Sequence, residues 1–317
     1  MQAWFRLILM FPLGWGYVKL WVKECLHRCG TVGMTLDSRP YQHPGYGFLH
    51  QFGSLQSEAD VYHYVDFLRQ EAGLENSLPV DLDRIFTHFG MPIPLRVALE
   101  DQQGILLDSD RGVILIREGD PIERQRFTEG HELMELLFDA QDVVTAELQL
   151  RPWDTARKEK LCDAGAAELL MPQTQFQPHL AHLGTSLSTG RSLCRLYKTS
   201  LLATLIRMVQ LTQGEHALIF WRSVRNAEGD RLRSEWSVVS PEWTQGFIPK
   251  SHFIAATTLM GYPLPRLITR RTNRHPNPRQ QSRTVTLEMG NWTISCRAEV
   301  IHLNGTQSPG ILSLLHL

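Results

Sequence analysis

The chain has 317 residues, 43% of them hydrophobic, and a formal net charge of −1 at pH 7. That length suits two domains with ample apolar content for a core, and the charge balance gives no support to bulk nucleic-acid binding through a basic surface. The 5 cysteines, an odd and scattered set, fit a reduced compartment better than a disulfide scaffold.

Residues 1–33 open apolar and aromatic, MQAWFRLILMFPLGWGYVKLWVKECLHRC, but Arg6 and Lys19 interrupt the run. What lies between them is short of the roughly 20 residues needed to span a bilayer, and no A-x-A-like cleavage site follows. Three readings stay open: a weak membrane anchor through residues 1–22, an amphipathic extension, or an over-long gene start with Met34 as the true first residue. The last is favoured, because recognisable organisation begins only after it. Cys25 and Cys29 have no matching second pair that would make a metal site. Residues 34–56, with Pro40, Pro44 and their glycines, read as a linker or arm, so residues 1–56 form an N-terminal extension.

Ser57-Glu58-Ala59-Asp60 is a capping-box-like start, with a helix to about Ala72 that Gly73 closes. Asp81 to Phe89 predicts a short helix ended by Gly90, and Pro92 and Pro94 forbid its continuation. Strands follow at Leu95–Leu99, Ile105–Asp108 and Val113–Arg117, the last two joined by the turn Ser109–Gly112.

Arg124 to Ala140, RQRFTEGHELMELLFDA, reads as one helix. His131 and Glu135 are four residues apart and share a face, while Glu132 is rotated roughly 100° round the helix. This is the layout of the zinc-peptidase helix H-E-x-x-H, in which two ligands share a face and the Glu is the general base, but with Glu in place of the second His. Leu133, Leu136, Leu137 and Ala140 make a stripe away from His131, and Phe127, Met134 and Phe138 flank it. Apolar residues all round mark a central helix, where a His and two carboxylates are costly unless paired or metal-bound. An exposed helix end with solvated acids is the competing reading.

A second stretch, Glu159 to Pro172 (EKLCDAGAAELLMP), carries Glu159 and Asp163 at i, i+4 on a helix that Pro172 stops. Ala164, Gly165, Ala166 and Ala167 give it a thin side on which another helix can lie close. One carboxylate on such a helix meets the need for a third metal ligand, and Asp163 is placed to accept from a ligand His.

At these residues the chain resembles the ImmA/IrrE family of zinc metallo-endopeptidases. RQRFTEGHELME is similar to the family's R-x-R-F-T-x-x-H-E-x-x-H helix, and EKLCDAGAAELLMP to its E-x-x-A-[ND]-x-F-A-A-x-L-L-M-P helix. LPVDLDRIFTHFGMPI and the strand GVILI upstream resemble the family too, so the likeness covers about Ser57 to Leu211. It implies His131 as first metal ligand, Glu132 as general base, Glu159 as third ligand and Asp163 as its helper. Glu135 stands where the family has its second His; Cys162 (usually Ala) and Gly165 (usually Phe) are milder departures. The cofactor implied is Zn²⁺, although a set of one nitrogen and two carboxylates accepts Mn²⁺ or Fe²⁺ more readily than the family's own. The resemblance also implies a separate helix-turn-helix repressor as substrate, with roles in stress response or mobile-element regulation, and a cytoplasmic location.

Phe176–Leu183 and Leu187–Gln210 read as further helices, with Thr199-Ser200 re-capping a second segment; His179 and His182 form an H-x-x-H more typical of surface positions than of ligands. From Gln213 the pattern turns to strands: His216–Val224 with Leu232–Ser240, then Thr284–Glu288 with Trp292–Leu303. Between the pairs, Arg266 to Arg283 is arginine-rich; a solvated loop is favoured over a patch for phosphate or an acidic partner.

The sequence therefore predicts an α+β fold: a mainly helical, zincin-like peptidase domain with a small sheet at 57–212, then a β-rich C-terminal domain at 213–317 for sensing or partner binding. The expected function is a metal-dependent endopeptidase acting on a protein substrate. The alternative is a peptidase fold kept as a catalytically inactive binding module. Neither direct nucleic-acid binding nor a membrane partner is expected.

Overall fold

The computed structural model describes residues 39–147, 153–226, 229–261, 281–289, 292–303 and 310–317. They fall into two compact units that divide between Leu169 and Leu170. The N-terminal extension up to residue 38, Cys25 and Cys29, and most of the arginine-rich run lie outside the described residues.

Among the described residues, the first helix of the first unit is α1 (Pro44–Phe52), in the stretch that the sequence suggested to be a linker. Pro44 sits in its first turn, where a missing N–H costs nothing. Gly45 is the reason the helix can dock: a Cβ there would lie 3.0 Å from the Ala140 Cβ and closer still to the Leu136 carbonyl. Helix α2 (Ala59–Glu71) starts as expected, with the Asp60 carboxylate accepting from the backbone N–H of Gln56 and Ser57, each at 2.7 Å. Helix α3 (Leu82–His88) is capped by Asp81, which accepts from Arg84 N–H, and Gly90, at φ 66°, turns the chain away.

Three short strands follow: β1 (Leu95–Val97), β2 (Gly104–Asp108) and β3 (Val113–Arg117). β3 is central, parallel to β1 and antiparallel to β2, so β2 is an edge. Helix α4 (Ile122–Glu147) is longer than its sequence pattern suggested. Leu133, Met134, Leu136, Leu137, Phe138 and Ala140 are all fully buried, as the apolar surround required. Helix α5 (Thr155–Leu170) crosses it closely on its thin side. A Cβ on Gly130 would stand 3.3 Å from Ala166 Cβ, and the position of a Gly165 Cβ is filled by Met134 and Val61.

The second unit holds α6 (Gln173–Leu183), α7 (Leu187–Tyr197) and α8 (Leu201–Leu211) together with a six-stranded sheet. Lys198 in the left-handed region ends α7, and Ser200 re-caps α8 by accepting from Ala203 N–H. The strands are β4 (His216–Asn226), β5 (Gly229–Val239), β6 (Phe253–Ala255), β7 (Gln281–Met289), β8 (Trp292–Leu303) and β9 (Gly310–His316); a short helix, α9 (Ala256–Met260), follows β6. Their spatial order is β6-β5-β4-β9-β8-β7 and every pairing is antiparallel. Ile294, Cys296, Ala298 and Val300 alternate into one core with Ala217, Ile219 and Trp221, the period of two that a half-buried strand requires. The buried Trp221 indole donates to Ser313 Oγ at 2.8 Å. The fold is thus α+β, helical round a small sheet and then β-rich.

No helix among the described residues is long and apolar enough to cross a membrane.

Candidate metal centre

The first unit carries a cleft of about 440 Å³. One wall is β2 with Gln102 and Gln103 before it. The other is built from α4 and α5, which bring His131, Glu132, Glu135, Glu159 and Asp163 to the same opening. All five residues singled out from the sequence therefore meet at one place.

His131 is held from both sides. Its Nδ1 lies 2.9 Å from Asp163 Oδ1. Its Nε2 faces two carboxylates, Glu159 Oε2 at 3.6 Å and Glu135 Oε1 at 3.9 Å. A donor bond from Nδ1–H to Asp163 leaves Nε2 free to accept a proton or a metal ion. Burial works against charging the ring, but the Asp163 hydrogen bond and the charges of Glu132, Asp163 and Glu135 outweigh it, leaving His131 above its ordinary pKa.

Glu132 is 6% exposed and has its pKa raised to about 7, by burial first and by the neighbouring Glu135 charge, against the lowering effect of His131 and of the Leu106 backbone N–H that bonds it. A carboxylate that titrates near neutrality can both take and return a proton at working pH.

Glu135 occupies the position of greatest interest. Its Oε2 forms an ion pair with Lys158 Nζ at 2.9 Å, and its Oε1 accepts from the Cys162 thiol at 3.4 Å. Neither partner was singled out from the sequence as part of the site. A lysine in sequence beside Glu159 reads as a solvated charge, and Cys162 was noted only as a departure from Ala.

A divalent ion with bonds of about 2.1 Å to tetrahedral ligands places them about 3.4 Å apart. The separations of His131 Nε2 from Glu135 and from Glu159 are close to that, so each carboxylate by itself fits beside His131 on a divalent ion. Ligand atoms of His131, Glu135 and Cys162 also lie within 4.8 Å of one another. Glu159 is outside that group but lines the cleft, whereas Cys162 is fully buried and does not. Burial and the Glu135 charge push the Cys162 thiol far above its ordinary range, so it serves as a donor to that carboxylate.

The other histidine pattern is differently used. His179 Nδ1 is 2.9 Å from the Tyr197 hydroxyl, and His182 is exposed.

Residues 88–208 match the family model Peptidase_M78, the IrrE N-terminal-like domain. No curated protein matches the chain. Among solved structures, a Mycobacterium tuberculosis transcriptional regulator is similar at 12% identity and a TM-score of 0.49, over 86% of this chain and 80% of that one.

Proposed function

From the premise that residues 88–208 are an IrrE N-terminal-like domain of the M78 peptidase family, we propose that this protein is a metal-dependent endopeptidase. The observation that carries the reading is the convergence of His131, Glu132, Glu135 and Glu159 on one cleft whose rim is a strand edge, unpaired among the described residues. His131, Glu135 and Glu159 would hold the ion, with Asp163 orienting the His131 ring. Zn²⁺ suits the family, and Mn²⁺ or Fe²⁺ the oxygen-rich set. Bound there, the ion supplies a polarised carbonyl and a more acidic water.

The chain's own residues supply the rest. Glu132 takes a proton from the attacking water and delivers it to the leaving amine. β2, as an edge, accepts an extended peptide as an added strand and lays its backbone along the cleft. A protein substrate follows from that mode of binding. A separate helix-turn-helix repressor, in stress response or mobile-element regulation, is the substrate that the family likeness suggests, in a cytoplasmic setting. The peptidase domain spans 57–212 in this reading, and the β-rich remainder serves for sensing or partner binding.

The second reading, a metal-free binding module, is favoured by the Lys158–Glu135 ion pair, which satisfies Glu135 without an ion. Metal content of the purified protein beside the Glu159→Ala variant decides between them. About one transition-metal ion per chain, lost in the variant, is expected; no metal in either after reconstitution would establish the binding module instead.

A further inference from the structure

The position of Glu135 raises a question of charge. A ligand set of two imidazoles and one carboxylate carries one negative charge, but His131, Glu135 and Glu159 carry two. The additional carboxylate would cancel more of a divalent ion's charge and weaken its action on water and carbonyl. Lys158 stands where that excess would be balanced. It precedes Glu159 on α5, and its ammonium is 2.9 Å from the Glu135 oxygen that does not face His131. Lys158 and Glu135 are only 21% and 19% exposed, so little water screens the pair. Cys162 adds a second donor to the Oε1 side.

We infer that Lys158 is a positioning residue for the metal centre: it neutralises Glu135 and fixes it so that only Oε1 is presented to the ion. The pair Glu135–Lys158 then acts as a neutral single-atom donor and does the electrostatic work of an imidazole. The chain keeps the ligand-charge balance of an H-E-x-x-H helix by adding a cation outside the ligand set. This rests on the metal-site reading above and extends it to a residue on another helix. Lys158 also faces the Phe138 ring at 5.8 Å, and Asp142 is the other acid acting on it. Neither provides the direct bond that Glu135 does.

The test is a double-mutant cycle read as Zn²⁺ affinity by competition with a chromophoric chelator, using the full-length chain. Glu135→His alone leaves the Lys158 ammonium facing the ion with no carboxylate between them, so it binds Zn²⁺ no more tightly than the wild type. Adding Lys158→Met in that background restores affinity by about tenfold or more, while the same substitution beside an intact Glu135 yields a much smaller gain or a loss, the non-additivity expected of directly paired groups. Lys158→Arg, which keeps the charge, retains wild-type affinity. Equal effects of Lys158→Met in the wild-type and Glu135→His backgrounds would overturn the inference while leaving the metal site intact. A wild-type chain that binds no Zn²⁺ would overturn the site itself, and the inference with it.

Discussion

Gly104, the first residue of β2, lies so close to α4 that a Cβ built on it would stand 2.8 Å from the Glu132 carboxylate oxygen Oε1 and collide with the Thr128 methyl. The edge strand and the Glu132 carboxylate are thus in contact through a missing side chain. The close approach also lets the Leu106 N–H reach Glu132. Gly104→Ala should push β2 and Glu132 apart at a stability cost of about 1–3 kcal/mol, typical of overpacking. Peptide cleavage should fall well below wild type while bound metal stays near one ion per chain. Unchanged turnover in a folded Gly104→Ala protein would show that Glu132 does not need this contact.

Glu132 itself makes a pH prediction for the metal-free protein. Its pKa rises from 4.5 to about 7 on folding, so between those values the folded state holds a proton that the unfolded state has released. Stability is greatest below about pH 4.5 on this account and declines as pH rises to about 7, by roughly 3 kcal/mol at most for a shift of that size. Glu132→Gln should remove this part of the slope in chemical-denaturation curves taken across the range. The same variant should lose cleavage and keep its metal. Cleavage that persists in Glu132→Gln would mean that another group moves the proton.

Much of the site could be read from residue spacing because helices fix it. His131 and Glu135 at i, i+4, and Glu159 and Asp163 at i, i+4, place four polar groups on two helix faces, and the small residues at Gly130, Gly165 and Ala166 let those faces meet. The alternation of Ile294, Cys296, Ala298 and Val300 likewise announced a strand. Contacts that depend on tertiary placement were not legible. Nothing local tells a lysine such as Lys158 that its partner is on α4 and not in water. Helix α1 was hidden for a related reason: Pro44 and Gly45 resemble linker residues until Gly45 is found against the Leu136 carbonyl. β9 completes the sheet by pairing with both β4 and β8, and its apolar run, Gly310–His316, has no alternation to mark it because almost all of it is buried.

Cys162 should behave as a buried hydrogen-bond donor, not a ligand. It is fully buried and its thiol is held far above its ordinary pKa, and thiolate is the reactive form. Native protein should resist alkylation at Cys162 by iodoacetamide, and react there only after denaturation. The cobalt-substituted protein should lack the intense near-ultraviolet band of a thiolate–cobalt bond. Appearance of that band, and its loss in Cys162→Ala, would make Cys162 a ligand in place of Glu159.

In the second unit, Glu299 offers a stability test that involves no residue of the candidate metal centre. Its carboxylate, 2% exposed, accepts from the Leu187 backbone N–H at 2.8 Å, in the first turn of α7, with His316 Nε2 at 3.5 Å and Arg297 at 3.4 Å. Burial raises its pKa, but His316, the Leu187 N–H and Arg297 outweigh that and leave it below the usual 4.5. A carboxylate with a depressed pKa stabilises the fold above its unfolded pKa, and the stabilisation is lost as pH falls through the lower, folded value. Glu299→Gln keeps the shape but gives up the charge at a helix N-terminus, where a negative group is favoured. It should cost about 1–3 kcal/mol at pH 7, the range for a hydrogen bond to a charged group, and the difference from wild type should shrink below about pH 4. Thermal unfolding of the two proteins at about pH 7 and pH 3.5 measures both. A Glu299→Gln protein as stable as wild type at neutral pH would mean that the carboxylate's burial costs as much as its partners return.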